Sequence, residues 1–474
     1  MIFLVNIESV QQEGLEVFDD EFEKSCISKE NCNRSLVKKV FFENIESVQL
    51  YKDVAMTICK KYRDELYETL SGAVIPFWLD RSIDREFGGF LTSFDQNGEF
   101  DGNGIKNIVT QSRMVWGFSN LLPFAKEADI LRMKSAATSG ARFLIDSFWD
   151  KEYGGFYWLL NRNGTVADPS KLTYGEGFAI YALAEYYLMS GDRDALAYAE
   201  AGFDHLQKYA TDTLNGGYFE NIERDWSISP SGSYAGNRKS LDIHMHLLES
   251  FTTLYKATGK ELHGRKLQEV YDLLVRHMMN VQEGYGYNQF DIEFHQIPAI
   301  NILRTWNAER ESNETVAIPT DTTSYGHNVE LSWLGDLALQ VLGHRTDEDN
   351  AILLRLLDHA LAHGYDYEHG GVYRDGVGIG DAIIKDKEWW QNFESMTGFL
   401  NGYAMTENVA YLDAFVGTWK FVRDHFMNYE IGESRQLLDR EGNSIISNMG
   451  NPWKGIYHTG RALAECIRRL DGFQ

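Results

Sequence analysis

A phrase built on paired glycines recurs along this chain, and its spacing limits the fold more than any single segment does. Asp84-Arg-Glu-Phe-Gly-Gly-Phe comes first. Asp150-Lys-Glu-Tyr-Gly-Gly-Phe-Tyr-Trp158, Asn215-Gly-Gly-Tyr-Phe219 and Glu368-His-Gly-Gly-Val-Tyr373 repeat it, and Tyr285-Gly-Tyr287 is a worn copy. A sixth stretch, Leu437-Leu-Asp-Arg-Glu-Gly442, lacks the glycine pair. Alternating residues and tight turns such as Asp95-Gln-Asn-Gly98 and Asn161-Arg-Asn-Gly164 follow the phrase, which reads as a short β-hairpin. Gly88, Gly154 and Gly216 are separated by 66 and 62 residues, close to one period, and an internal period decides architecture before local propensity does.

Each period leaves room for two helices, and apolar residues recurring every three to four positions supply them. The pattern predicts twelve, near 46–75, 107–124, 128–149, 172–190, 192–211, 239–258, 261–280, 325–342, 346–364, 386–404, 407–429 and 455–471. The first, carried by Val54, Ile58, Tyr62, Leu66 and Leu70, is expected to end at Pro76. Six helical hairpins joined by short strands predict an all-α fold, an (α/α)6 barrel or toroid of two concentric helix layers. Residues 46–474 then form the barrel domain. Residues 1–45, with their acidic run from Glu13 to Glu23 and weak periodicity, are an N-terminal extension left free to flex.

Composition narrows the partners. A formal charge of −25 repels polyphosphate and anionic lipid, which argues against nucleic acid. Eleven tryptophans and 13% aromatic residues are enough to line a carbohydrate cleft as well as to fill a core. Cys26, Cys32, Cys59 and Cys466 lack metal-type spacing and read as reduced thiols of a cytoplasmic protein. The opening MIFLV is too short for a signal-peptide core, and no apolar run reaches the length of a membrane span. A monomer or homodimer acting on a small molecule is expected.

In such a ring, the helix after each glycine hairpin is an inner helix whose start faces the cavity. Those starts read Gln111-Ser-Arg113-Met-Val-Trp116, Tyr174-Gly-Glu176-Gly-Phe178, Asp242-Ile-His244-Met-His246-Leu-Leu-Glu249, His327-Asn-Val-Glu330, Lys387-Glu-Trp389-Trp390-Gln-Asn392-Phe-Glu394 and Trp453-Lys-Gly-Ile-Tyr457-His458-Thr-Gly-Arg461. Two carry H-x-x-E, at His246/Glu249 and His327/Glu330, which sets imidazole and carboxylate on one helical face. Histidines titrate near neutrality, so two of them facing a substrate can exchange protons at carbon, and Arg113 can hold the oxyanion that develops. Trp389, Trp390 and Trp453 offer flat faces to a sugar ring. The plainer readings are that Glu249 buttresses a neighbouring helix and that one of the paired tryptophans is core. His244 and His246 are about 200° apart around a helix, so only one can face the cavity, and His244 is assigned to structure. No Cys or close Asp joins His246, His327 and His458 at ligand spacing, so no metal is expected.

These stretches resemble the N-acylglucosamine 2-epimerase superfamily, and within it the cellobiose 2-epimerase and mannose 2-epimerase group, from about residue 48 to the C-terminus. The resemblance rests on H-x-H-L-x-E at His244–Glu249, S-Y-G-H-x-x-E at Ser324–Glu330, K-E-W-W at Lys387–Trp390 and P-W-K-x-x-Y-H-x-G-R at Pro452–Arg461, in this order. It implies an (α/α)6 barrel that epimerises an aldose at C2 without a cofactor. His327 and His458 would be the acid/base pair, while His246 and Arg113 would bind and polarise substrate oxygens. Asp242, Tyr174, Glu176, Glu249, Glu330, Trp389, Trp390, Trp453 and Asn392 would contact substrate. The chain departs from the cellobiose group at Asp242, where that group has Asn, and at Asn392, where it has Gln.

The expected reaction interconverts gluco and manno configurations of free mannose/glucose or of the reducing-end unit of a β-1,4 disaccharide. The alternatives are an aldose–ketose isomerase of the mannose isomerase type, an N-acylglucosamine 2-epimerase and, from other classes, an (α/α)6 glycoside hydrolase or a binding barrel without activity. A hydrolase wants a flanking carboxylate pair, whereas the central groups here are histidines. The polar segment Phe290–Thr323, with Ile297, Ile300, Ile302, Leu303 and Trp306, is long enough to act as a lid. A lid and the acceptor-only carboxylate of Asp242 favour a free monosaccharide, mannose.

Overall fold

Among the described residues, twelve helices alternate with short hairpins, and two burial patterns sort them into layers. In the computed structural model the chain is described at residues 59–229, 238–297 and 322–473. Inner helices are α2 (Ile108–Asn120), α4 (Thr173–Ser190), α6 (Leu241–Thr258), α8 (Tyr325–Leu342), α10 (Trp389–Thr406) and α12 (Ile456–Asp471). These bury nearly every side chain of their first three turns, polar ones included; in α4 that run extends unbroken from Thr173 to Ala184. Outer helices are α1 (59–81), α3 (Glu127–Phe143), α5 (Arg193–His205), α7 (Glu261–Leu273), α9 (Asp347–His359) and α11 (Val409–Phe421). These bury one stripe, as α5 does with Ala195, Ala199, Gly202 and Phe203. Consecutive inner helices pack side by side and α12 packs on both α10 and α2, which closes the ring; Tyr62–Phe473 form one unit.

The expected twelve-helix barrel is therefore present, with element ends shifted by a few residues. One boundary needs correcting, because the first helix does not end at Pro76 but runs to Arg81. A wide turn, Leu70–Val74, intervenes, in which Ile75 N–H reaches back to Leu70 O. The helix restarts with Pro76 in its first turn, where a missing N–H costs little. Equivalent wide turns end the other outer helices, at Leu144–Phe148, Leu206–Ala210, Leu274–Met278, Ala360–Gly364 and Val422–Phe426, each burying its first and last residue. Inner helices pass to outer ones through left-handed caps at Gly191, Gly259 and Gly343.

The hairpins between an outer and the next inner helix are pinned by two recurring devices. In the first, the aspartate four residues ahead of the glycine pair closes the turn and accepts a buried lysine placed two residues before the inner helix. Lys106 meets Asp84 at 3.0 Å, Lys171 meets Asp150 at 3.2 Å, Lys239 meets Asp212 at 2.8 Å and Lys387 meets Asp366 at 3.0 Å. Lys454 holds the equivalent place before α12 and donates to Ser434 O and Met449 O. In the second device, the fourth residue of the inner helix reaches the backbone just after the turn. Gln111 Oε1 accepts Phe90 N–H, Glu176 Oε1 accepts Phe156 N–H, His244 Nε2 accepts Tyr218 N–H, Asn328 Oδ1 accepts Gly286 N–H and Asn392 Oδ1 accepts Val372 N–H.

The second device explains why the glycines come in pairs. Both adopt positive φ, as Gly88 and Gly89 do at 77° and 65°. A Cβ on Gly89 would lie 2.7 Å from Gln111 Oε1, and one on Gly155 would lie 2.8 Å from Glu176 Oε1.

The N-terminal extension (1–45), the first turns of the helix expected from residue 46, and residues 298–321 of the expected lid lie outside the described residues. The last group includes Ile300, Ile302, Leu303 and Trp306. No described helix is long and apolar enough to cross a membrane.

Candidate active site

One cavity opens where the inner helices begin, enclosing about 300 Å³ with the open solvent at its mouth included. It is lined by Arg113 of α2, Tyr174 of α4, Asp242 and His246 of α6, His327 and Glu330 of α8, Trp389 and Trp390 of α10, His458 of α12, and Trp453 just ahead of α12. Every helical member belongs to the first two turns, so six helix N-termini turn their positive ends toward this space, which suits an anionic intermediate.

Depth in the cavity follows position in the helix. His327 and His458 are the third residues of α8 and α12, at one level on either side of α10. Between them stands Trp390, its ring 4.6 Å from that of His327 and 5.7 Å from that of His458. The sixth residues lie one turn deeper: Arg113, Phe178, His246, Glu330, Glu394 and Arg461. The two H-x-x-E strings are thus displaced by one turn from each other. His246 is the counterpart of Glu330, and Glu249 lies a further turn down, beside Tyr457 and Arg461.

The floor is a buried charge network centred on Arg461. Its guanidinium bonds Glu249, Glu330 and Glu394, the last at 2.7 Å, and stacks on Tyr457 and Trp333 at 4.1 and 4.9 Å. Three buried carboxylates around one cation compensate only in part, and burial pushes Glu394 up to about 8 against the pull of Arg461. Glu330, Glu394 and His458 bring three potential metal-ligand atoms within 4.8 Å of one another, but Arg461 already places a cation on both glutamates.

The three histidines differ in surroundings. His246 offers Nδ1 to Glu249 Oε2 at 3.0 Å and lies with Nε2 3.3 Å from Asp242 Oδ1. Burial works against its charged form, but these two carboxylates prevail and raise it to about 9, so it is an imidazolium with both N–H groups committed. Burial, then the charges of Arg113 and Arg461, press His458 well below the usual histidine range, so it is neutral. Its Nδ1 lies 2.8 Å from Glu394 Oε1, an oxygen that already accepts from Arg461, so Nδ1 carries the hydrogen and Nε2 keeps the lone pair. His327 takes its backbone cap from Ser324 Oγ and lies with Nε2 3.6 Å from Asp242 Oδ1.

Arg113 donates to Trp453 O at 3.0 Å and to the Tyr174 hydroxyl at 3.1 Å, while Phe178 flanks its guanidinium at 4.4 Å. Burial, then the neighbouring Asp242, holds Tyr174 as a neutral phenol. Burial opposes ionisation of Asp242, but the His246 hydrogen bond and the nearby His327 and Arg113 charges hold it down at about 2.

Three residues expected to contact substrate lie elsewhere. Glu176 and Asn392 are hairpin pins on the far side of their helices: Asn392 also donates to Val372 O and Glu388 O, and burial raises Glu176 to about 8. Both sit at position four, which points about 100° away from position three. Glu249 lies beneath the cavity as the partner of His246, Tyr457 and Arg461. Sequence reasoning passed over Arg461 as the hub and the five lysines. Their signal was a lysine two residues before each inner helix except α8, where Thr323 stands instead.

The family profile of N-acylglucosamine 2-epimerase matches residues 88–462. A cellobiose 2-epimerase of Ruminococcus albus is 30% identical, the alignment covering 85% of this chain and 98% of that protein. One of Bacteroides fragilis is 27% identical, with 85% and 98% covered. The solved structure of the cellobiose 2-epimerase from Spirochaeta thermophila superposes with a TM-score of 0.74 at 26% identity over 88% of this chain and 98% of that one.

Proposed function

The chain belongs to the N-acylglucosamine 2-epimerase family, and on that premise we infer that it interconverts the gluco and manno configurations at C2 of an aldose by proton abstraction and return through a cis-enediolate. The observation that carries this reading is the pair His327 and His458, set at one depth on opposite sides of Trp390. After the sugar ring opens, neutral His458 takes the C2 proton through Nε2 from one face, and His327 delivers a proton from the other. Arg113 holds the enediolate oxygens, the positive charge of the nearby His246 imidazolium stabilises them without a hydrogen bond of its own, and Tyr174 positions Arg113. Trp389, Trp390 and Trp453 supply apolar faces to the sugar. Hydrolysis is disfavoured because Glu249, Glu330 and Glu394 converge on one guanidinium rather than flanking a bond.

A free monosaccharide, mannose, is the preferred substrate over cellobiose or mannobiose. The acceptor-only carboxylate of Asp242 in the cavity wall supports that preference. Incubation of the protein with mannose or mannobiose in deuterated water tests both points. Deuterium at C2 with conversion to the gluco sugar, faster for mannose, is the expected result. Ketose accumulation would replace the reading by isomerisation, and loss of the glycosidic bond would replace it by hydrolysis.

A further inference from the structure

A carboxylate stands beside one member of the acid/base pair. Asp242 Oδ1 lies between two imidazoles, 3.3 Å from His246 Nε2 and 3.6 Å from His327 Nε2. We propose that Asp242 is a positioning residue that fixes the resting protonation of the pair, holding His327 as the acid so that His458 enters the turnover as the base. This deepens the two-histidine reading above and rests on it.

The groups around His327 support the assignment. α6 presents Asp242 and the His246 imidazolium; α8 itself presents Glu330 one turn deeper; α2 presents Arg113 and α4 the neutral Tyr174. α10 presents Glu394, and α12 presents His458 and Arg461, the last already bonded to Glu249, Glu330 and Glu394. The His246 charge is matched on its other side by Glu249 at 3.0 Å, so Asp242 has negative charge left for His327. On the opposite side, His458 is bonded to Glu394, whose negative charge is weakened by burial and shared with Arg461. An asparagine at 242 would still accept from His246 but would bring no charge to His327.

The test is the titration of ring-labelled histidines in the intact protein, His327 and His458 being assigned by their loss in H327N and H458N. Asp242→Asn is expected to lower the apparent pKa of His327 by at least one unit and leave that of His458 within half a unit. The alkaline limb of kcat/KM should move to lower pH with it, since activity needs His327 protonated, and Asp242→Glu should restore part of the shift. Asp242→Ala, which adds no donor, should give the same shift and serves if the amide variant fails to fold. An unmoved His327, an equal shift in both histidines, or a raised KM with an unmoved alkaline limb would overturn the proposal. The titration is read without turnover, so a failure of the epimerase reading would appear separately, as wild-type protein that places no deuterium at C2.

Discussion

Positions three and four of the inner helices are neighbours in sequence and belong to different regions of the molecule. Position four reads Gln111, Glu176, His244, Asn328, Asn392 and Thr459: polar every time, and in the first five pinning a hairpin backbone. Position three reads Thr110, Gly175, Ile243, His327, Gln391 and His458, with little in common except at the two histidines. A ring built from repeats needs the same hydrogen bond made at each joint, so structural polarity recurs. The proposed proton exchange needs one base and one acid, so the polarity assigned to it breaks the repeat. Within this barrel, recurrence of a polar residue marks architecture and departure from recurrence marks the site.

Substitutions at the two positions should separate activity from stability. His327→Asn or His458→Asn should cut epimerisation on the order of 10²–10⁴-fold, the usual worth of a proton-transfer group, while the thermal midpoint stays close to that of the wild type. A variant that unfolded instead would erase the distinction. Arg461→Met should cost ~3–5 kcal/mol in a denaturant titration, because it strands buried Glu249, Glu330 and Glu394 without their shared cation. Asn392→Ala should cost ~1–3 kcal/mol by leaving Val372 N–H unpaired, with KM for the sugar nearly unchanged. A large rise in KM with unaltered stability would return Asn392 to the substrate.

Glu176→Gln should have the smallest effect, and that effect should depend on pH. The folded carboxyl is held near 8, whereas in the unfolded chain it ionises near about 4.3. Between these values the unfolded state has already released the proton that the folded state keeps. Wild-type stability therefore falls as pH rises through that window, being fully retained below it. The glutamine variant should match wild type at pH 4–5 and lose less stability toward pH 8, as followed by thermal melts across that range.

The ring was legible in the sequence because hairpin glycines and helical periodicity are local signals repeated along the chain. Pro76 misled because a wide turn, invisible to a helical pattern, reset the register before it. The cavity was legible at His327, His458, His246, Arg113 and Asp242, which lie in the first two turns of inner helices. Glu176 and Asn392 were misplaced because position four looks as polar as position three until the hairpin backbone is seen to occupy it. The matching H-x-x-E strings suggested an equivalence that the one-turn offset between α6 and α8 removes. Arg461 was the hardest to assign from sequence, since its partners come from three other helices.

The division of labour between two faces of one sugar is tested most directly by following C2 hydrogen exchange in deuterated water, starting separately from the manno and the gluco epimer. The variants for this are His327→Asn and His458→Asn. Each should be unable to epimerise, yet the histidine that remains should still exchange the C2 proton on its own face, His458 directly and His327 more slowly, since it must first lose its resting proton. One variant should therefore label only the manno sugar and the other only the gluco sugar. Labelling of both epimers by either single variant, or epimerisation by one at more than a few per cent of the wild-type rate, would contradict the two-histidine account.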